Sequence, residues 1–236
     1  MSVYAVVPAA GKGKRLGTKI PKTYLPVMGK PLFIHTLRAL KKAYPFREIV
    51  LVVDIFRIAQ ARNELVRHGL GSVWLTSGGA TRAESVRNGL SILPAGKHLV
   101  AVHDAARPLV SREVVRRTVA AAKKGPSTGS GRCAGAICAV PISSTVKRID
   151  LKKGTLRGTE DRRELVLAQT PQVFDRTLLL ARYEALGAKA FEATDEAALF
   201  DGTKQRVRVV EGDERNLKVT TKNDLESLKK SLRNSG

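Results

Sequence analysis

A short apolar strand that runs into a glycine-rich loop opens this sequence and restricts the folds available to it. Residues 3–7 form a largely β-branched apolar run, Pro8 closes the run, and Gly11, Gly13 and Gly17 follow within one loop. Glycines after a strand let successive backbone N–H groups turn toward one point, which makes an anion-binding concavity. The sequence therefore predicts the opening strand and turn of a nucleotide-binding α/β fold.

Segments with strand-like and helical patterns alternate along the rest of the chain. We predict further strands at residues 48–53, 72–75, 99–103, 134–140, 206–210 and 217–220. We predict helices from Pro31 up to Tyr44, at 57–68, 81–93 and 175–186, after Ser111, and from a cap at Thr221. This alternation predicts a three-layer α/β/α, Rossmann-like fold with a mainly parallel sheet and helices on both faces.

One region interrupts the alternation. Residues 142–168 are polar, β-prone and punctuated by turns, without a helical face. We interpret them as a protruding two-stranded β-arm within a single domain of residues 1–236. An isolated hairpin is marginally stable, so we expect the arm to pack against a partner subunit in a homodimer.

The composition limits the partners of the chain. No apolar stretch approaches the roughly 20 residues of a membrane span, and Met1 leads directly into the first strand, so we expect a cytoplasmic protein without a membrane partner. Cys133 and Cys138 fit neither a zinc half-site nor a redox pair.

A net charge of +21 is expected to attract polyanions, which include nucleic acid, acidic membranes and highly charged small substrates. Residues 1–47 contain no acidic residue, while basic residues crowd the region after the first strand: Lys12, Lys14, Arg15, Lys19, Lys22 and Lys30. This concentration favours a local anion site.

Three further segments carry candidate functional groups. Pro21 and Pro26 flank Lys22, which could be held over bound phosphates or simply be exposed. Gly78 and Gly79 precede a helix that carries Ser85, where backbone groups could recognise a base or merely form a turn and a cap. Asp104 and Arg107 follow a strand, where open α/β sheets bind ligands.

The last pair allows two interpretations. Asp104 could orient a substrate hydroxyl or help to position Mg²⁺, and Arg107 could hold a phosphate. The alternative is a structural ion pair between the two side chains.

Seven motifs in one order resemble those of the 2-C-methyl-D-erythritol 4-phosphate cytidylyltransferases of the non-mevalonate isoprenoid pathway. They cover almost the whole chain and are Pro8-Ala9-Ala10-Gly11-x-Gly13-x-Arg15, Pro21-Lys22-x-Tyr24-Leu25, Gly78-Gly79-x-x-Arg82-x-x-Ser85-Val86, His103-Asp104-Ala105-Ala106-Arg107-Pro108, Thr170-Pro171-Gln172-x-Phe174, Thr194-Asp195-Glu196-Ala197 and Asn216-x-Lys218-Val219-Thr220.

The resemblance implies a nucleotidyltransferase fold and a reaction of CTP with a sugar-alcohol phosphate, with Mg²⁺ as cofactor. It implies these catalytic residues: Arg15, Lys22 and Lys218. It implies nucleotide-binding positions at Pro8, Ala9, Ala10, Gly11, Gly13, Gly78, Gly79, Ser85 and Ala105. It implies substrate-binding positions at Asp104, Arg107, Thr145, Arg162, Thr170 and Thr194, where Thr145 and Arg162 come from the arm of the neighbouring subunit. Ala80 is a departure, because some relatives carry an acidic residue there.

Other functions remain open from the residues. A ribitol-5-phosphate cytidylyltransferase would share the loop and the fold. A basic nucleic-acid-binding module would explain the charge, but it predicts aromatic side chains among the basic ones, and aromatics make up 5% of the chain. An NAD-dependent oxidoreductase would use Asp54 after the second strand, but the glycine spacing of the first loop does not match. We therefore expect no nucleic-acid partner.

Overall fold

The computed structural model describes residues 1–11, 20–124 and 133–234. The strands are β1 (Val3–Pro8), β2 (Pro26–Val27), β3 (Lys30–Pro31), β4 (Ile49–Val53), β5 (Trp74–Ser77), β6 (Leu99–Val102), β7 (Cys133–Pro141), β8 (Lys147–Asp150), β9 (Thr155–Thr159), β10 (Val166–Asp175) and β11 (Arg206–Glu211). The α-helices are α1 (Leu32–Ala43), α2 (Ile58–Arg67), α3 (Arg82–Ser91), α4 (Arg112–Lys123), α5 (Arg176–Leu186) and α6 (Lys222–Arg233).

A seven-stranded sheet forms the centre of the protein, in the order β11-β7-β10-β6-β1-β4-β5. Strand β10 runs antiparallel to both of its neighbours, and the other pairings are parallel. The chain leaves β1 toward β4 and β5 and then returns to place β6 on the other side of β1. This reversal creates a crevice at the carboxyl ends of β1, β4 and β6, where open α/β sheets bind ligands.

Two apolar cores cover the two faces of the sheet. Ala5 and Val7 of β1 pack in the core that α1, α2 and α4 cover, while Tyr4 and Val6 pack in the core that α3 and α5 cover. Both faces of the strand are buried, as in a parallel sheet between two helical layers. The prediction of a mainly parallel three-layer α/β fold is confirmed.

A smaller cluster fixes the end of the chain near the crevice. Val27, Leu32, Ala106, Val219 and Leu228 pack together, which joins α6 to the segment that follows β6. The Val219 N–H also donates to the Ala106 carbonyl over 2.9 Å. A capping box of Thr221 and Asp224 starts α6, as the sequence predicted for Thr221.

The hairpin of β8 and β9 lies between β7 and β10 along the chain. Its strands pair antiparallel, and its side chains are mostly exposed, including Leu151 (87%) and Leu156 (69%). In the described parts of the chain, no helix has both the length and the apolar character that crossing a membrane requires.

Two sequence predictions about strands are wrong. Strand β10 was not predicted, because Gln169, Thr170 and Gln172 give it a polar pattern and Pro171 cannot donate a ladder hydrogen bond. Its pairing with β7 shifts register between Ala168 and Gln172, so the chain bulges around the proline. Residues 217–220 were predicted as a strand but have no strand assignment in the structure.

Candidate active site

A cleft of about 760 Å³ lies at the carboxyl ends of β1, β4, β5 and β6. The ends of four strands, helix α3 and the segments that carry Lys22 and Lys218 line it. The lining residues are Pro8, Ala9, Ala10, Gly11, Lys22, Thr23, Asp54, Ile55, Phe56, Gly78, Gly79, Ala80, Thr81, Arg82, Ser85, Asp104, Ala105, Ala106 and Lys218. The cleft is therefore at the position that the strand order favours for a ligand.

The cleft brings together most of the predicted site residues. Those that line it are Pro8, Ala9, Ala10, Gly11, Lys22, Gly78, Gly79, Ser85, Asp104, Ala105 and Lys218. Arg15 and Gly13 lie outside the described residues. Five others do not contribute to the lining that the described residues form: Arg107, Thr145, Arg162, Thr170 and Thr194.

The glycine pair after β5 lets two segments of backbone approach closely. A Cβ on Gly78 would lie 2.5 Å from the Ala10 Cβ and 2.7 Å from the Ser85 Oγ. Ser85 Oγ accepts a hydrogen bond from the Gly79 N–H over 3.1 Å and donates to the Thr81 carbonyl over 2.9 Å. This wall of the cleft is thus built from backbone and small side chains, which suits the edge of a planar ligand.

Two lysines face the cleft from separate segments. Lys22 Nζ donates to the Val219 carbonyl over 3.2 Å, and the neighbouring Thr23 hydroxyl donates to the Ala9 carbonyl over 3.1 Å. Lys218 Nζ lies 2.7 Å from Asp104 Oδ2. Because these contacts anchor both lysine segments to the first loop and to the end of β6, their positive charges converge on one region of the cleft.

Asp104 is buried beneath that region and is surrounded by cations. Arg82 Nε lies 3.0 Å from Oδ1, and Arg107 Nε lies 3.9 Å from Oδ2, on the same oxygen as Lys218. Burial alone would raise the pKa of the Asp104 carboxyl, but Arg82, Lys218 and Arg107 outweigh it and hold the pKa well below its ordinary value. The carboxylate is therefore ionised at neutral pH.

A buried hydrogen-bonded chain supports the backbone of Asp104. The Asp104 N–H donates to Thr170 Oγ1 over 3.1 Å, and that hydroxyl lies 3.1 Å from His103 Nδ1. His103 Nε2 lies 3.0 Å from the Arg107 carbonyl. Burial lowers the pKa of His103 to about 4, so the ring is neutral at pH 7, donates through Nε2 and accepts from Thr170 through Nδ1. Thr170 thus acts behind the cleft, where it positions Asp104.

Arg107 is not part of the cleft lining that the described residues form. Its side chain is 11% exposed, and its Nη1 donates to the Asn216 carbonyl over 2.6 Å. Arg107 therefore pairs with Asp104, as in the structural alternative from the sequence, and its contact with a substrate phosphate stays a prediction.

Three further predicted substrate residues are not part of the lining that the described residues form. Thr145 and Arg162 are exposed at the base of the arm, where Arg162 donates to the Ser143 carbonyl, and Thr194 is exposed beside Asp195.

The cleft offers few ligands for a metal ion. Within the described residues, no group of three or more His, Cys, Asp or Glu side chains is placed to hold a metal. Asp104 is a carboxylate in the lining, and its two oxygens already face Arg82 and Lys218. This donor set fits a Mg²⁺ ion that is carried mainly by nucleotide phosphates, which is the usual way that Mg²⁺ binds beside triphosphates.

Sequence reasoning gave no role to Arg82 or Glu196. Arg82 lines the cleft and binds both Asp104 and the buried Glu196. Both residues lie within recognised motifs, but Glu196 is 114 positions from Arg82. No local pattern could have revealed that the two are paired.

Comparisons with known proteins agree with these motifs and this fold. The family model described as "IspD: 2-C-methyl-D-erythritol 4-phosphate cytidylyltransferase" matches residues 3–234. The enzyme of that name from Geobacter metallireducens is 37% identical, over 95% of this chain and 95% of its own. The one from Xylella fastidiosa strain M23 is 41% identical, over 95% of this chain and 94% of its own.

Solved structures give the same result. The 4-diphosphocytidyl-2C-methyl-D-erythritol synthase from Anaerococcus prevotii superposes with a TM-score of 0.81 and 29% identity, over 98% of both chains. The 2-C-methyl-D-erythritol 4-phosphate cytidylyltransferase from Thermus thermophilus superposes with a TM-score of 0.74 and 29% identity, again over 98% of both chains. The chain belongs to the IspD family of 2-C-methyl-D-erythritol 4-phosphate cytidylyltransferases.

Proposed function

We propose that this protein transfers the cytidylyl group of CTP to 2-C-methyl-D-erythritol 4-phosphate in isoprenoid precursor biosynthesis. The products are 4-diphosphocytidyl-2-C-methyl-D-erythritol and pyrophosphate. One observation carries the proposal: one cleft is lined by the Gly78-Gly79 wall, by the adjacent first loop and by Lys22, Lys218 and Asp104. This is the arrangement that a nucleotide and a second phosphorylated substrate require.

The nucleotide binds along the ends of β1 and β5. The backbone of residues 9–11 faces the phosphates, and Arg15 and Lys22 neutralise them. The wall of Gly78, Gly79 and Ser85 receives the cytosine edge, because the two glycines carry no side chain and let the base approach their backbone.

The reaction joins two polyanions. An oxygen of the substrate phosphate attacks the α-phosphorus of CTP, a new P–O bond forms in line with the bond that breaks, and pyrophosphate leaves. The attacking phosphate is already ionised at neutral pH, so no general base is needed. Catalysis therefore depends on positioning and on the charge stabilisation that Arg15, Lys22 and Lys218 provide.

Asp104 binds the polyol part of the second substrate. Its ionised carboxylate accepts hydrogen bonds from hydroxyl groups, which an alditol phosphate provides. When bound, Mg²⁺ supplies charge neutralisation for the leaving pyrophosphate, and Asp104 is one of two carboxylates in the described lining, with Asp54, that could help to hold it.

The arm completes the site in a homodimer. Leu151, Leu156 and Ile149 expose apolar surface on a two-stranded hairpin, and such a hairpin gains stability by packing against a partner. Thr145 and Arg162 lie outside the cleft of their own chain and contact substrate in the partner's cleft.

The experiment measures pyrophosphate release with CTP, Mg²⁺ and 2-C-methyl-D-erythritol 4-phosphate. Lys22→Ala should lower the rate by about 100-fold, as the loss of one preorganised charge-stabilising group does. Lys30→Ala is the matched control, because Lys30 lies in β3 and is not among the described residues that line the cleft. Wild-type activity in Lys22→Ala would remove Lys22 from the catalytic set, and no pyrophosphate from the wild type would refute the proposed function.

A further inference from the structure

Arg82 bridges two carboxylates that belong to distant parts of the chain. Its Nε lies 3.0 Å from Asp104 Oδ1, while its Nη1 and Nη2 lie 2.8 and 3.1 Å from the two oxygens of Glu196. A bidentate guanidinium–carboxylate pair fixes both the position and the plane of the guanidinium. The direction from which Arg82 meets Asp104 is therefore set by Glu196.

The Glu196 side chain is buried and does not line the cleft that the described residues form. Only 1% of the side chain is exposed. Its backbone N–H and that of Ala197 both donate to Gln172 Oε1 over 3.1 Å. Gln172 lies in β10 directly opposite Val102, the last residue of the strand that leads to Asp104. Strands β6 and β10 therefore anchor both Asp104 and Glu196, the residue that holds Arg82.

The charges around Asp104 explain why a second buried carboxylate is useful. Arg82, Arg107 and Lys218 all lie within 4 Å of the Asp104 carboxylate. With Glu196 ionised, this group of five carries one excess positive charge; without it, the excess is two. Burial raises the pKa of the Glu196 carboxyl, and the opposing effect of the Arg82 guanidinium does not cancel that rise. The charge of Glu196 is instead indicated by the geometry, because both of its oxygens accept from Arg82, as an ionised carboxylate does in a bidentate pair.

We propose that Glu196 and Arg82 form a positioning pair that holds the Asp104 carboxylate in the orientation that binds the polyol of the phosphorylated substrate. Glu196 then determines affinity for that substrate without touching it. This inference rests on the proposed function, since it assigns the sugar-alcohol phosphate to Asp104.

The test is the steady-state kinetics of Glu196→Gln, which keeps the shape of the side chain and removes its charge. We expect the KM for 2-C-methyl-D-erythritol 4-phosphate to rise by about 10- to 100-fold, the range that small displacements of a positioned group produce. The KM for CTP should stay at its wild-type value. Glu211→Gln is the matched control, because it makes the same change at an exposed carboxylate that pairs with Arg117 and is not in the described cleft lining.

A double-mutant cycle tests whether the effect passes through Asp104. In an Asp104→Asn background, Glu196→Gln should cause no further loss of kcat/KM, because residues that act through one contact are not additive. Additive losses would overturn the proposal. Equal changes in both KM values together with a fall in Tm would also overturn it, since that pattern indicates a general loss of structure.

A second variant covers the case in which Glu196→Gln does not fold. Arg82→Lys keeps the charge but cannot span two carboxylates, so it should raise the same KM selectively. A wild-type KM in Arg82→Lys would also overturn the proposal. If the wild type itself does not use 2-C-methyl-D-erythritol 4-phosphate, the proposed function fails; if it does and these variants behave like wild type, only the positioning role fails.

Discussion

The substitution Gly78→Ala adds one methyl group to the wall that we assign to the cytosine base. The new Cβ would lie 2.5 Å from the Ala10 Cβ and 2.7 Å from the Ser85 Oγ. Ala10 has no rotamer that could relieve the contact, so its backbone must move. The contact with Ser85 is relieved if that side chain rotates, and it then gives up the hydrogen bond from the Gly79 N–H. Either response changes the groups that face the nucleotide.

The size of the effect follows from these distances. Carbon atoms pack at about 3.5–4.0 Å, so the first loop must shift by about 1 Å. Overpacking of this kind costs about 1–3 kcal/mol of unfolding free energy. A 1 Å misplacement of a positioned group can lower activity by about 100-fold. We therefore expect kcat/KM for CTP to fall by a factor of that order.

The assay varies CTP at saturating 2-C-methyl-D-erythritol 4-phosphate, and thermal unfolding is measured in parallel. Each kcal/mol of destabilisation should lower Tm by about 2–4 °C in a chain of this size. Gly71→Ala is the control, because its Cβ would meet Val66 Cγ2 at an ordinary 3.7 Å. A Gly78→Ala enzyme with the wild-type KM for CTP would refute the placement of the base against this wall.

Three further predictions concern charge, pH and assembly. Lys218→Met should lower kcat by about 10²- to 10³-fold, as removal of a charge-stabilising donor does. The control Lys222→Met, in α6, should keep the wild-type kcat. Equal activity of the two variants would contradict the role of Lys218. The pKa of buried His103 is lowered to about 4, so between pH 6.5 and 4 the unfolded state binds a proton that the folded state does not. The contribution of neutral His103 to the free energy of unfolding is fully present above pH 6.5. The free energy of unfolding should fall by about 3 kcal/mol as the pH decreases to 4. Urea unfolding should show a smaller loss in His103→Gln, and the same pH dependence in both proteins would rule out this cause. Leu156→Asp in the arm should convert the proposed homodimer into monomers in sedimentation experiments. An unchanged sedimentation coefficient would exclude the arm as the interface.

Local periodicity predicted the helices well. Phe33, Leu37 and Leu40 recur at helical spacing and are fully buried on α1, and the run of residues 3–7 became the central strand β1. These patterns are local consequences of burial on one face or on both, so they are visible in the sequence.

Strand β10 shows what such patterns cannot reveal. Its buried amides find partners far along the chain: Gln169 Nε2 donates to the Asp213 carbonyl, and Gln172 Oε1 accepts from the Glu196 N–H. A polar residue can be buried when its hydrogen bonds are satisfied, but the partners are set by the tertiary fold. The strand therefore looks like a loop when only its own residues are considered.

The site residues also divide into those that the local sequence predicts and those that only the tertiary fold places. The glycine turns and Lys22 could be placed from their neighbours in sequence, and the motif order brought Lys218 into the prediction. The direction of Arg107 could not be deduced, because its partner is the carbonyl of Asn216, 109 positions away. A motif identifies which residues gather at a strand end, and packing decides which of them face the ligand.

The most direct measurement compares two acceptors. The purified protein is incubated with CTP and Mg²⁺ and either 2-C-methyl-D-erythritol 4-phosphate or ribitol 5-phosphate, and ³¹P NMR follows the formation of a diphosphate diester and pyrophosphate. We predict the cytidine diphosphate ester of methylerythritol as product, with kcat/KM well above that for ribitol 5-phosphate. Turnover of ribitol 5-phosphate alone, or RNA binding without any pyrophosphate release, would contradict the proposed function.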